Sequence, residues 1–249
     1  MFELDPYSPI NVVKLWAENI WIVDGPVVSM HWLWMRIPFS TRMTIVRLAN
    51  GDLWVHSPTA LTGALMEQVN ALGPVRHIVA PNRIHYIWAR DWQEAYPQAM
   101  TYAAPLVAEE AKATGAVFDV TLGDAPVEAW GDEIIHVLAS GAYLVEADFF
   151  HRASSTLILT DLIENFERSK IHAGWLWRLL YRIAGVIDPQ GSMPRDLRAT
   201  FWKHRDEMKR AVETMIGWGP ERIIIAHGRC YKSHAVPELV RAFSWLKIR

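Results

Sequence analysis

Residues 143–165 read YLVEADFFHRASSTLILTDLIEN, and the fold turns on how that stretch pairs with itself. Leu144 to Phe150 and Thr156 to Thr160 are apolar, β-prone runs, and His151-Arg152-Ala153-Ser154-Ser155 between them is polar enough to turn. The pattern predicts an antiparallel hairpin. Cross-strand partners keep a constant sum of residue numbers, so a turn centred near Ala153 sets Glu146 roughly opposite Thr160 or Asp161. Two carboxylates then meet at the open end of the hairpin. Both sit beside apolar residues, where an unpaired charge is costly and a cation is the natural partner. The plainer reading has Asp161 capping a following helix and Glu146 facing water, since Asp is a preferred N-cap.

Upstream of this hairpin, Val75 to Ala80 reads as a short buried strand. It runs through Pro81-Asn82-Arg83-Ile84-His85 into a helix from Tyr86 to about Tyr96. His85 is thereby expected at a strand-to-helix junction, a usual place for site residues in layered folds. Downstream, Arg222 to Ala226 contains three consecutive isoleucines and delivers His227-Gly228 at its end, where the glycine permits close backbone approach. Further strands are expected at Ile20–Val23, Val27–Met35, Met43–Leu48 and Leu53–His56, the last two flanking the hairpin signal Asn50-Gly51. Helical spacing predicts a Thr62-capped helix to Leu72, then helices at Leu106–Lys112, Trp175–Val186, Leu197–Ile216 and Val236–Ile248. Hairpins mixed with interleaved helices point to an α/β or α+β sandwich with mixed sheets.

Composition narrows the function classes. Of 249 residues, 51% are hydrophobic, enough for a sizeable core, and no Pro/Gly/Ser linker or charge block divides the chain, so a single domain over 1–249 is expected. The formal net charge of −2 argues against nucleic acid as a partner. One cysteine, Cys230, excludes an internal disulfide framework and fits a reducing, cytoplasmic location. MFELDPYSP has no secretory pattern and no apolar run reaches membrane-spanning length, so stable membrane insertion is not expected. Tryptophan is concentrated in His31-Trp32-Leu33-Trp34-Met35, which reads as core, subunit contact or pocket lid. The apolar helix around Trp175 has few basic neighbours besides Arg178 and Arg182. It is expected to serve as core or as a homodimer contact rather than to touch a membrane surface.

Asn82/His85, Asp161 and His227 share one position type: each follows a buried strand. With Glu146 aimed at the same edge, they make a mixed nitrogen and oxygen donor set suited to zinc or iron. The segments RMTIVRLANGDLWVHSPTALT, PVRHIVAPNRIHYIWARDW, FFHRASSTLILTDL and IIIAHG carry a resemblance. The chain resembles the metallo-β-lactamase-like superfamily, and more closely an uncharacterised family within it, over roughly Ile20 to Cys230. The resemblance implies a four-layer αββα sandwich. It also implies a hallmark His-x-His-x-Asp-His run, here reduced: if His85 takes the last position, Ala80, Asn82 and Ile84 stand where two histidines and an aspartate are expected. The superfamily's later, metal-bridging aspartate matches Asp161, and its terminal histidine matches His227.

By motif, His151 resembles the superfamily's third histidine. By geometry Glu146 is the better substitute, because an extended strand sets His151 on the order of 20 Å from Asp161. The implied ligands are therefore His85, Glu146, Asp161 and His227, with His151 as fallback, holding one divalent ion: zinc or iron, with manganese as a third option. His56, at a strand end, is expected to orient or join the ligands. Asn82 is expected either to donate to an oxyanion or to cap the following helix, and Asp161 to act at the reacting centre. The implied activity is hydrolysis of a small ester, lactone, amide or phosphoester by a metal-bound hydroxide. Two other readings are a sandwich that binds metal or ligand without catalysis, and redox chemistry at non-haem iron.

Overall fold

The hairpin forms, with Phe149 opposite Ile158 and His151 opposite Thr156. Extending that register sets Glu146 level with Asp161. The computed structural model describes residues 3–32 and 35–248, without the side chains of residues 31, 32 and 35. Of the aromatic run His31-Trp32-Leu33-Trp34-Met35, therefore, Leu33 and Trp34 lie outside the described residues, and so do the side chains of the other three.

A seven-stranded sheet holds β1 (Val13–Ala17), β2 (Ile20–Asp24), β3 (Arg42–Arg47), β4 (Leu53–His56), β5 (Val75–Ala80), β6 (Met100–Ala103) and β7 (Val120–Thr121), side by side in chain order. The pairs from β1 to β4 are antiparallel, and those from β4 to β7 are parallel. A second sheet holds β8 (Ile134–Ser140), β9 (Val145–His151), β10 (Thr156–Ile158) and β11 (Arg222–Ile224). Here β8, β9 and β10 pair antiparallel, while β10 and β11 run parallel. A parallel neighbour needs a crossover, and the long stretch from β10 to β11 carries three helices.

Strand alternation sorts the core into layers. Val46, Trp54 and Val79 of the first sheet meet Ala147, Phe149, Ile158 and Ile224 of the second in a central apolar layer. On the outer side of the first sheet, Ile45, Val55 and Ile78 pack on α1 (Gly63–Asn70) and α2 (Ala89–Ala95) through Leu65, Val69 and Trp92. A short α3 (Val107–Ala111) follows β6. On the outer side of the second sheet, Phe150, Leu157 and Ile223 meet Met208, Val212 and Leu239. The order helix, sheet, sheet, helix is the expected four-layer αββα sandwich.

Several expected elements change at their ends. Thr62 caps α1, its hydroxyl accepting from the Leu65 amide at 3.2 Å. The helix after His85 starts only at Ala89. The single helix expected over Leu197–Ile216 is two, α5 (Arg195–Thr200) and α6 (Arg205–Gly217), because the chain turns between them where Phe201 is fully buried. The last helix, α7 (Ala235–Ala242), stops short of Phe243. No helix begins at Asp161, where the chain continues through Leu162 and Ile163 into isolated bridges, which removes the plain capping role for that side chain. The largest departure is α4 (Trp175–Ala184), expected as core: Tyr181 is buried, but Trp175, Leu176, Leu179, Leu180 and Ile183 are exposed, Trp175 to 77%.

Candidate metal centre

β10 and β11 lie parallel with Ile158 opposite Ile224, and three residues beyond each come Asp161 and His227. Equal offsets on parallel strands bring the two side chains out level. His227 Nε2 lies 3.0 Å from Asp161 Oδ1. His85 arrives from the loop after β5 in the other sheet, its Nε2 3.3 Å from Asp161 Oδ1 and 3.2 Å from His227 Nε2. All three residues are almost wholly enclosed.

The far nitrogen of each histidine is engaged. His227 Nδ1 lies 2.5 Å from the Ser40 carbonyl oxygen. A carbonyl only accepts, so Nδ1 carries the hydrogen and donates. His85 Nδ1 meets the Ser57 hydroxyl at 2.8 Å. Ser57 has φ +52, a left-handed conformation that a non-glycine residue enters at some cost and that places its hydroxyl under the imidazole. Gly228, with φ +104, passes so close to Asn165 that an added Cβ would lie 2.2 Å from the Asn165 carbonyl oxygen. The buried Arg42 holds the same loop: its Nη1 donates to the carbonyls of Ile225 (2.5 Å) and Gly228 (2.8 Å), while Asp24 pairs with its Nη2 at 2.6 Å.

Glu146 reaches the centre, but its oxygens are spent. Oε1 accepts from the Thr160 amide at 2.7 Å, and Oε2 from the Asp161 amide at 2.9 Å and from Asn82 Nδ2 at 2.8 Å. It therefore fixes the chain around Asp161 instead of offering a lone pair to an ion, which corrects its expected place as a fourth ligand. Asn82 is fully buried. Its Nδ2 faces Glu146 Oε2, Thr160 Oγ1 (2.9 Å) and Asp161 Oδ2 (2.7 Å), and its Oδ1 accepts from the amides of Ile84 (2.8 Å) and His85 (3.0 Å). With two hydrogens and three acceptors, Asn82 has none left for an oxyanion. Because α2 begins only at Ala89, its Oδ1 closes the turn at Ile84 and His85 instead of capping that helix, so neither expected role holds.

His56 and His151 stand outside the group. His151 lies at the hairpin's turn end, the opposite end of β10 from Asp161, with Nδ1 on the Ser154 hydroxyl at 2.8 Å. His56 stacks on Trp54 with ring centroids 5.4 Å apart, and its Nε2 has no hydrogen-bond partner. Burial, helped by the charge of His85, drives its pKa down to about 3, so the ring is neutral. It supports the site as an apolar neighbour rather than as a donor atom.

Electrostatics follow from the enclosure. Burial alone would raise Asp161, but the flanking His85 and His227 hold its carboxyl far below the usual carboxylate range. Burial would lower His85, and Asp161 with Glu146 overcomes that and raises it. Asp148, buried on the same strand as Glu146, is pushed up by burial first and then by the neighbouring Glu146. Glu164 is raised to about 8, by burial first, with His227 opposing and Asp161 and Asp196 adding to it. Asp161 and Glu164 sit in a cleft of about 400 Å³ with apolar walls from Ile37, Phe39, Tyr181 and Leu197.

The donor set fits a divalent ion. His85, Asp161 and His227 form the group among the described residues whose ligand atoms all lie within 4.8 Å of one another. With its Nδ1 hydrogen committed to Ser40, the neutral form of His227 turns an Nε2 lone pair into the centre. Ligand bonds of about 2.0–2.1 Å in a tetrahedral arrangement separate donors by roughly 3.3 Å, close to the spacings found. Ser40 and Ser57 supply the outer hydrogen bonds that ligating histidines require. Sequence reading had no signal for the Ser40 carbonyl or for Arg42, which act through backbone contacts far away in the chain. Ser57 was visible only as a neighbour of His56.

Comparison with known proteins agrees with this architecture. The metallo-beta-lactamase from Pontibacter korlensis superposes with a TM-score of 0.59 at 12% identity, covering 96% of this chain and 99% of its own. That from Erythrobacter litoralis gives 0.59 at 15% identity, covering 98% and 99%. The metallo-beta-lactamase FIM-1 from Pseudomonas aeruginosa, in a mono-zinc form, gives 0.57 at 13% identity, covering 94% and 96%. Such identities establish the fold, a metallo-β-lactamase-like sandwich, and nothing finer. Among curated proteins none matches this chain. The family described as "Domain of unknown function (DUF4336)" matches residues 17–173, and the chain belongs to that family.

Proposed function

We propose that this chain is a metal-dependent hydrolase that holds one divalent ion on His85, Asp161 and His227 and cleaves a small ester, lactone, amide or phosphoester in the adjoining cleft. The observation that carries the reading is the convergence of two Nε2 atoms and one carboxylate oxygen, with both histidines tethered from behind. When bound, such an ion supplies a hydroxide at neutral pH and polarises the scissile group. The protein's own part is positioning. Ser40 fixes the His227 tautomer, Ser57 orients His85, and Glu146 with Asn82 sets the Asp161 carboxylate. Glu164 faces the cleft and holds a proton at neutral pH. The apolar walls admit a small substrate and shed water from it.

A second reading rests on the same donor set: two histidines and one carboxylate also suit non-haem iron. Asn82 adds weight to a mononuclear centre, because it fills with an amide the place the superfamily gives to a histidine. Metal analysis separates the readings. The chain purified without an affinity tag is expected to carry about one ion, lost in Asp161→Ala and in His227→Ala but retained in His151→Ala. Chelator should lower the melting temperature of the parent chain and leave the two ligand variants unmoved. Zinc with turnover of generic esters supports the hydrolase; iron with oxygen-dependent turnover supports the alternative. Near-zero metal in every form, even after incubation with zinc, iron or manganese, would sink both.

A further inference from the structure

α4 has a buried side and a bare one. Tyr181 turns inward, whereas Trp175 (77% exposed), Leu176 (53%), Leu179 (42%), Leu180 (40%) and Ile183 (50%) all face out. At 100° per residue these five fall on one continuous stripe of the helix, with Arg178 and Arg182 along its edge. An apolar stripe of that size is not left uncovered without reason.

Beside the arginine edge lie two adjoining recesses that share Arg168, Arg182 and Ile187. One adds Arg178; the other adds Arg195, Arg198 and Arg241. Six arginines from four separate stretches thus converge on one face, and no acidic side chain lines either recess. Among the described residues only Arg241 of the six has an ion-pair partner, Glu238 at 2.8 Å. Burial and the nearby Arg195 lower the pKa of Arg198. In a chain whose formal net charge is −2, such a concentration is a local excess that calls for an anionic partner.

We infer that this face docks on an anionic phospholipid surface, α4 lying in the plane of the bilayer interface with its apolar stripe among the acyl chains and the arginines on lipid phosphates. The two halves of the face demand different chemistries at once. Arginine forks match phosphate, and exposed Trp, Leu and Ile match hydrocarbon; lipids present both together. A nucleic acid leaves the apolar stripe uncovered, and a two-fold pairing of this face with itself sets arginine against arginine. α4 spans ten residues and no described helix is long and apolar enough to cross a membrane, so the association is peripheral.

The test is vesicle co-sedimentation of the full chain. It compares phosphatidylcholine alone with phosphatidylcholine containing phosphatidylglycerol, at low and high salt. Binding is expected to the mixed vesicles only, and to weaken with salt. Arg178→Gln with Arg182→Gln should weaken partitioning roughly thirtyfold, at about one basic residue's worth of attraction each. Leu179→Ser with Ile183→Ser should also weaken it, at unchanged salt dependence. All four positions are exposed, so the variants are expected to keep the parent's melting temperature and far-ultraviolet circular dichroism. Equal binding to both vesicle types, or binding to neither, overturns the inference. So does a concentration-dependent dimer abolished by the Leu179/Ile183 variant, or binding to single-stranded RNA that only the arginine variant loses.

Discussion

Asn82 is where the two sheets' contributions to the centre meet, since one amide serves Glu146, Thr160 and Asp161 while its carbonyl caps the turn carrying His85. Asn82→Ala leaves two buried carboxylates short of a donor, and an unmet buried acceptor costs about 1–3 kcal/mol. A loss of about 3 kcal/mol in urea-denaturation stability is expected, together with lower metal content. An unchanged midpoint would mean that water replaces the amide without cost. At this scale the sequence was informative about residues that follow buried strands. His85, Asp161 and His227 were each identified from an apolar run and the residue it delivers. Glu146 was placed correctly by register and given the wrong task, because register says where a carboxylate lies and not which amides will claim it.

At the scale of elements, Arg42 on β3 links the first sheet to the loop after β11. It was invisible beforehand: nothing in RMTIVR says that its first residue will be buried beneath a loop 183 positions later. Arg42→Met removes the charge that balances Asp24 and frees the carbonyls of Ile225 and Gly228. Breaking a buried pair from one side costs about 3–5 kcal/mol. Lys14, 2.9 Å from Asp24, moderates that loss, so the lower end is expected by thermal or chemical denaturation. Metal retention in Arg42→Met should fall below that of the parent even where the variant is fully folded; full retention would show that the His227 loop stands without the arginine. Strands and hairpins were legible because β3, β4 and β10 are buried on both faces and so read as short apolar runs between turn signals. α4 was not, because an apolar stripe reads the same whether protein covers it or nothing does. The arginines beside it come from stretches that only the fold brings together.

For the molecule as a whole, acid sensitivity should carry the signature of His56. Its pKa of about 3 in the folded chain lies below the ordinary value of 6.5, so between those limits the unfolded chain binds more protons. Stability must therefore fall as pH drops from 6.5 toward 3, with this residue contributing up to about 1.4 kcal/mol per pH unit. His56→Gln should flatten the slope of unfolding free energy against pH in that window; an unaltered slope would assign acid sensitivity to other groups. Finally, the Asp161–His227 distance is set inside one sheet by the hydrogen bonds of β10 to β11, whereas both distances to His85 bridge from one sheet to the other. The three donor atoms thus form a triangle with one stiff side and two compliant ones. Pressure, heat or an ion of different radius will register first as a displacement of His85, and the centre's tolerance for size is a mechanical property of the gap between the sheets.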